Sequence, residues 1–181
     1  MRHVGCATLL LAFVGLGLAG CSTTPPSDEK KDALHDEVRS TVAMMRNESP
    51  SFGEFLDRSY AYAVYPKLGE GSFIVGAGGG RGEVFERGKL IGYSTMSKAN
   101  IGFQAGGQEY SQVICFEDSA ALHRFIDHQF KFSANAQAVA LKSGVAANAK
   151  FQDGIAIFQH TKGGLTAGVS VGGQDYAFAP L

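Results

Sequence analysis

Four groups of residues in this chain could do chemistry by type and spacing. His123, Asp127 and His128 fall close together, and His123 and Asp127, four apart, would share one face of a helix and could share a metal ion. His128 would point about 100° away from Asp127, a poor third ligand, so the trio reads as the exposed polar face of an amphipathic helix. Glu109, Glu117 and Asp118 supply carboxylates, but no spacing singles out an acid/base pair. Cys115 sits in the apolar run Val113-Ile114-Cys115-Phe116 and reads as a small buried hydrophobe rather than a nucleophile. The Gly76–Gly82 segment, GAGGGRG, invites comparison with a phosphate-binding loop. Arg81 stands where G-x-G-x-x-G counted from Gly76 needs glycine, and Glu83 stands there when the count starts at Gly78. No G-K-[ST] follows, and the next run is strand-like, so no helix N-terminus would face a phosphate. H-E-x-x-H and spaced-cysteine motifs are absent. The expectation is a protein without catalytic residues, metal or cofactor.

Beyond these four, the basic residues form a fifth group. Arg81, Arg87, Lys89 and Lys98 cluster within eighteen residues, and Lys67 and Lys162 each follow one of two similar strand-like runs. They are candidates for gripping anionic headgroups; the bland alternative is solvated side chains at strand ends. Net charge is −1, which excludes a globally basic nucleic-acid binder. The charge is uneven: residues 28–57 hold eight acids and four bases, and residues 58–181 hold eleven bases and nine acids. A modestly positive body behind an acidic helix could attract phosphate.

Several elements must position these groups. Met1-Arg2-His3 and the uncharged run to Gly20 have the form of a signal peptide. A membrane-spanning helix would need more length than the seventeen residues from Val4 to Gly20, which give roughly 26 Å. Ser22–Ser27 is a polar, Pro-containing tether. A helix follows from about Asp28 to Asn47, capped by Ser27, with Leu34, Val38, Val42 and Met45 as its apolar stripe and Pro50 as its stop. Ser51-x-x-Glu54 reads as a capping box opening a short second helix. A third helix is expected over Ser119–Phe130, capped by Asp118.

Between and after these helices the pattern is β. Strands are expected at 61–65, 72–75, 83–85, 90–95, 101–104, 109–116, 138–141, 145–151, 155–159, 165–171 and 176–178, with Arg87-Gly88 as a tight hairpin turn. Glycine is in excess, 24 of 181 residues, and gathers in this β body. The pairs Gly76/Gly80, Gly102/Gly106 and Gly168/Gly172 would each lie on one face of a strand and mark a bend or a close approach. Ala61–Tyr65 with the Gly-rich run to Gly80 also echoes Gly154–Phe158 with Leu165–Gly172, as two similar hairpins or as convergent composition. The fold class is α+β: a Gly-rich, strongly bent antiparallel sheet or small barrel packed with two to three helices.

Two resemblances extend this reading. Leu18-Ala19-Gly20-Cys21 resembles the lipobox of bacterial lipoproteins, which implies cleavage before Cys21 and acylation of its thiol and new amino terminus. Ser22 after the cysteine implies the periplasmic face of the outer membrane. With Cys6 lost and Cys21 lipidated, Cys115 alone would remain, so no intramolecular disulfide is expected. From Tyr60 to the C-terminus the chain resembles the SYLF family of lipid-binding domains. Ala61-Tyr-Ala-Val-Tyr-Pro66, Gly76–Gly82, Gly92-Tyr93-Ser94, Gly102-Phe-Gln-Ala-Gly-Gly107 and Lys162-Gly-Gly-Leu-Thr-Ala-Gly168 carry the resemblance. Tyr93 replaces a tryptophan frequent in the family, and Thr95-Met96 replaces a nearby proline, as in its bacterial lipoprotein branch.

The resemblance implies non-catalytic binding of phosphoinositides or other anionic phospholipids; the actin association of eukaryotic members is not carried over. The expected organisation is a signal peptide over 1–20, a lipidated tether over 21–27, helices over 28–58 and a SYLF-like domain over 59–181. The expected partners are membrane lipids, through acylated Cys21 and a basic surface of Lys67, Arg81, Arg87, Lys89, Lys98 and Lys162, with no nucleic acid. The alternatives are an interaction lipoprotein whose only lipid contact is its anchor, and an apolar ligand held inside the barrel.

Overall fold

The computed structural model describes residues 23–70, 77–99, 108–127, 139–140, 148–161 and 174–181. Helix α1 runs Asp28–Glu48, capped by the Ser27 hydroxyl, which accepts from the Lys30 amide, with Asp28 and Glu29 in its first turn. Ser49 ends α1 and caps α2, Pro50–Arg58, by accepting from the Phe52 amide. The expected cap at Ser51 is therefore displaced by two residues. Proline at the first helical position lacks an amide hydrogen the helix would not use, so Pro50 starts α2 as well as limiting α1. On α1 the fully buried positions are Val38, Thr41 and Met45, while Leu34 and Val42 are only partly buried.

The strands are β1 Ala61–Glu70, β2 Ala77–Glu86, β3 Lys89–Ala99, β4 Gln108–Phe116, β5 Val139–Ala140, β6 Ile155–Thr161 and β7 Gln174–Pro180. Helix α3, Ser119–Ile126, lies between β4 and β5; Asp118 caps it, accepting from the Ala121 amide at 2.8 Å. The sheet order is β5-β6-β4-β1-β2-β3-β7, antiparallel throughout except for the two-residue β5 beside β6. Strands β1 to β3 run longer than their apolar cores suggested. The strand expected over 145–151 is not formed at 148–151, where the chain leads into a turn at Asp153-Gly154 with positive φ at both residues. The third helix ends at Ile126. The runs at 72–75, 101–104 and 165–171 lie outside the described residues, as do Gly76, Gly102, Gly106, Gly168 and Gly172.

The sheet is strongly bent and not closed. In a flat sheet, β4 and β7 would lie four strand spacings apart, about 19 Å. Instead the Gln112 amide nitrogen on β4 donates to the Tyr176 hydroxyl on β7 at 2.7 Å. Glycine permits the bend. A Cβ at Gly82 would strike the Val64 carbonyl oxygen and the Tyr65 ring, and one at Gly80 would strike the Lys67 carbonyl oxygen. Pro66 fits inside β1 because the register slips there, between Tyr65 and Leu68.

Two cores result. On the concave side, Ala63, Tyr65, Ile114, Phe116 and Tyr176 meet Leu122 and Phe125 of α3. On the convex side, Val64, Phe85, Val113, Cys115 and Phe158 meet α1 and α2, with Phe52 and Phe55 each 5.1 Å from the Phe158 ring. Cys115 is fully buried, and burial pushes its thiol up to about 12, as expected of a packing residue. The proposed echo aligns Tyr62 with Ile155, yet Tyr62 packs on the convex side and Ile155 on the concave. The two runs are out of phase by one residue, which favours convergent composition.

Candidate functional site

The basic candidates separate along the sheet. Arg87 and Lys89 flank the β2–β3 turn, where Arg87 and Gly88 take φ of 49° and 77°, the left-handed pair of a tight hairpin. Both side chains are exposed. The Arg87 guanidinium lies 5.0 Å over the Tyr60 ring, and the Tyr60 hydroxyl bonds the Glu86 carboxylate. Arg81, half-buried, is paired with Thr95 in mid-strand. Lys98 is opposite Gly78, nine residues along β3 from Lys89, or about 30 Å. Lys67 lies on β1 beyond the register slip and bonds Glu37 of α1 at 2.5 Å. The structure therefore brings Arg87 and Lys89 together and holds Lys67 apart, committed to a carboxylate. Lys162 and Cys21 lie outside the described residues.

Arg58 and Arg124 are two cations the sequence reading did not single out. Arg58 ends α2, packs over the Phe55 ring at 4.1 Å and is exposed. Arg124 on α3 donates to the Asp153 carbonyl at 2.6 Å. Both reach the end of the sheet where β1 begins, which is also the end of the Arg87 turn. Their position in the last turn of a short amphipathic helix was the available signal, since such a residue sits where the helix meets the sheet edge.

The remaining polar groups divide between the two faces. On the concave side, Gln112 donates to Tyr176 and accepts from Gln159 at 2.7 Å; Tyr176 in turn donates to Gln174 at 2.5 Å. Ser94 donates to the Ala177 carbonyl and contacts the Tyr65 hydroxyl at 2.6 Å. These groups are buried, neutral and mutually bonded. Burial and low polarity hold the Tyr65 and Tyr176 hydroxyls well above the usual phenol range.

On the convex side α1 is tied down by charged groups: Glu37 to Lys67, His35 Nδ1 to Glu83 Oε2 at 3.0 Å, and Glu48 to His160 Nε2 at 3.1 Å. Glu83 is 1% exposed, its Oε1 has no hydrogen-bond partner among the described residues, and burial raises its pKa, an effect His35 only partly opposes. His123, Asp127 and Glu117 are exposed, and Asp118 is spent as a helix cap. Among the described residues no three His, Cys, Asp or Glu side chains group as a metal site, and no helix is long and apolar enough to cross a membrane.

Residues 97–178 match the family described as Ysc84, Las17-binding protein actin regulator. The chain is also similar to Beta cell expansion factor A of Aeromonas veronii, 29% identical over 150 residues, which cover 82% of this chain. The chain spans 57% of that relative's length. The matched segment contains β4 and β7, which β1, β2 and β3 separate in the sheet, so residues 61–96 complete the body to which it belongs. The resemblance drawn from Tyr60 onward and the family match thus overlap over residues 97–178, where the chain is similar to the Ysc84 family.

Proposed function

We propose that this protein is a non-enzymatic envelope lipoprotein, anchored through acylated Cys21, whose domain binds anionic phospholipid headgroups. The observation that carries the reading is the exposed Arg87-Gly88-Lys89 hairpin tip at one end of a domain similar to the Ysc84/SYLF family. Two cations flank a turn held rigid by its own backbone geometry and by the Tyr60 ring, and Arg58 lies toward the same end. Such a tip can touch a phosphate plane without rearrangement of the sheet. Arg81, Lys98 and Lys162 remain secondary contacts, and Lys67 would first have to leave Glu37.

Co-sedimentation of the non-acylated 27–181 fragment with vesicles tests this. Phosphatidylglycerol-containing vesicles should retain it at low salt and release it as salt rises, and phosphatidylcholine vesicles should not retain it. Arg87→Glu with Lys89→Glu should abolish retention. Equal retention of both vesicle types, or none, would remove the proposal.

A second reading, an interaction lipoprotein whose only lipid contact is its anchor, is favoured by the family's own description as a protein-binding regulator. It predicts no vesicle retention once acylation is prevented.

A further inference from the structure

The segment between Cys21 and α1 is not a free linker. Pro25 is buried, Thr23 and Thr24 are half-buried, and the Thr23 hydroxyl meets the Thr95 hydroxyl at 3.4 Å. On β3, Ser94 and Met96 turn to the concave side, where Ser94 contacts the Tyr65 hydroxyl and Met96 joins the core. Thr95, between them, therefore faces the convex side, where α1 lies. The tether thus reaches the sheet at mid-β3 before α1 begins at Asp28.

That contact limits how the body can sit on its anchor. Thr23 lies two residues from Cys21, a reach of at most about 7 Å. Lys89, at the hairpin tip, lies six residues from Thr95 along β3, about 20 Å. With β3 upright and its tip in the headgroups, Thr95 would stand about 20 Å above them, beyond the reach of two residues. With the tip pointing outward, its cations would be about 20 Å from that surface, against a screening length of about 8 Å at physiological salt. Only with β3 along the membrane do the docked tether and the tip reach one bilayer. Leu181, the exposed large hydrophobic residue among those described, lies on the same line: its amide donates to the Ile91 carbonyl at 3.2 Å, between Thr95 and Lys89. The two ends are held by different means. Asp28 and Glu29 are exposed near the tether, Asp28 paired with Lys31 at 2.9 Å, so acyl chains rather than charge hold that end. The tip end is drawn by its exposed cations.

We propose that the domain lies on the membrane that carries its own anchor, with the β3–β7 edge down and β3 along the surface. The docked tether and the Arg87-Gly88-Lys89 tip then meet the same leaflet. This deepens the anchored, headgroup-binding reading and rests on it. The tether is a short leash that sets posture, and the tip contacts the leaflet beside the anchor rather than a second membrane.

Fluorescent labels on the full acylated protein, held in vesicles of phosphatidylethanolamine and phosphatidylglycerol with a nitroxide-headgroup lipid as quencher, test the proposal. Single cysteines are placed by Ser97→Cys, exposed two residues beyond Thr95, by Leu181→Cys, and by Lys150→Cys. Lys150 is exposed next to Phe151, which packs on Phe55 of α2, on the far side of the sheet from β3. Cys115 is fully buried and escapes labelling. Labels at 97 and 181 should both lose most of their fluorescence, and the label at 150 should keep it. Raised salt should restore the signal at 181 and leave 97 quenched. Thr23→Asp with Pro25→Asp should free the tether, so that quenching falls at 97 and stays at 181.

Quenching at 181 and 150 without 97 would mean an upright body on an undocked tether and would overturn the proposal. Quenching at 97 alone, at none of the three positions, or equally at all three would overturn it too, as would an unchanged pattern in the tether variant. Retention of the non-acylated 27–181 fragment on phosphatidylglycerol vesicles and the mass of the acylated protein report the headgroup and anchor reading on their own. A different posture with both intact removes this inference and leaves that reading standing.

Discussion

The two faces of the sheet are built on different principles. The concave face is closed by neutral groups: aromatic rings from α3 and three strands, and amides and hydroxyls that bond one another across the bend. The convex face has an apolar floor under α2, but α1 reaches it through the Lys67–Glu37 ion pair and two histidine–carboxylate contacts, one of them to the buried Glu83, and it borders a cavity of about 460 Å³ walled by α1, β1, β4 and β6. A neutral, satisfied network holds one geometry and responds little to pH or salt. Charged straps over a void respond to both. The concave face fixes the shape of the body, and the convex face leaves room for a ligand.

The largest expected effect falls where the bend is made. Gly82→Val would push a side chain into the Val64 carbonyl and the Tyr65 ring, neither of which can move without breaking the β1–β2 ladder. The expected loss is about 3 kcal/mol or more, read by urea denaturation. A loss below about 1 kcal/mol would mean the curvature does not depend on glycine there.

Next comes the amide network. Gln112→Leu keeps the bulk but strips partners from Gln159 and from the Tyr176 hydroxyl, both buried. The Gln159 amide left without its acceptor costs about 1–3 kcal/mol, while the Tyr176 hydroxyl keeps its bond to Gln174. The variant should unfold at clearly lower urea. A neutral result would show that water, rather than Gln112, satisfies these groups.

What could be read in the sequence follows the same division. The caps at Ser27 and Asp118, the Arg87-Gly88 turn and the alternation in β4 depend on neighbours in the chain, and local pattern revealed them. The architectural role of glycine was also legible, and Gly80, the described member of its pair, lies where a side chain would meet the Lys67 carbonyl. Local pattern could not reveal that β4 and β7 meet across three intervening strands, because that contact comes from curvature accumulated over the whole sheet. Ser51 looked like a cap because its spacing to Glu54 is right, but Pro50 sets the helix start two residues earlier and leaves Ser49 to cap it. Four of the six basic candidates are neighbours in sequence and two follow similar strand-like runs, and strand geometry spreads the five described ones along the sheet. The cavity had no sequence signal, since its walls come from α1, β1, β4 and β6.

The convex face can be probed through Glu83. Burial raises its carboxyl pKa above the unfolded value, so its protonation favours the folded state. That contribution is fully present below the unfolded pKa and is lost as pH rises through the folded one. Glu83→Gln should therefore be as stable as the parent, or more stable, at neutral pH, by on the order of 1 kcal/mol. The advantage should shrink as the pH falls through the raised pKa and be gone below the ordinary carboxylate range. Thermal melts across that range decide the sign. An advantage that grew on acidification would mean that the His35 pair outweighs the cost of burying the charge.

The smallest effect on stability is expected at the strap that borders the cavity. Lys67 and Glu37 are 55% and 42% exposed, so their 2.5 Å contact is screened by solvent and should contribute between about 0 and 1 kcal/mol. Lys67→Ala should shift the melt by no more than that, and salt should erase the difference. A larger loss that salt left unchanged would mean that Lys67 acts through the packing of its alkyl stem more than through its charge. The two outcomes separate packing from electrostatics at one residue of the face where both operate.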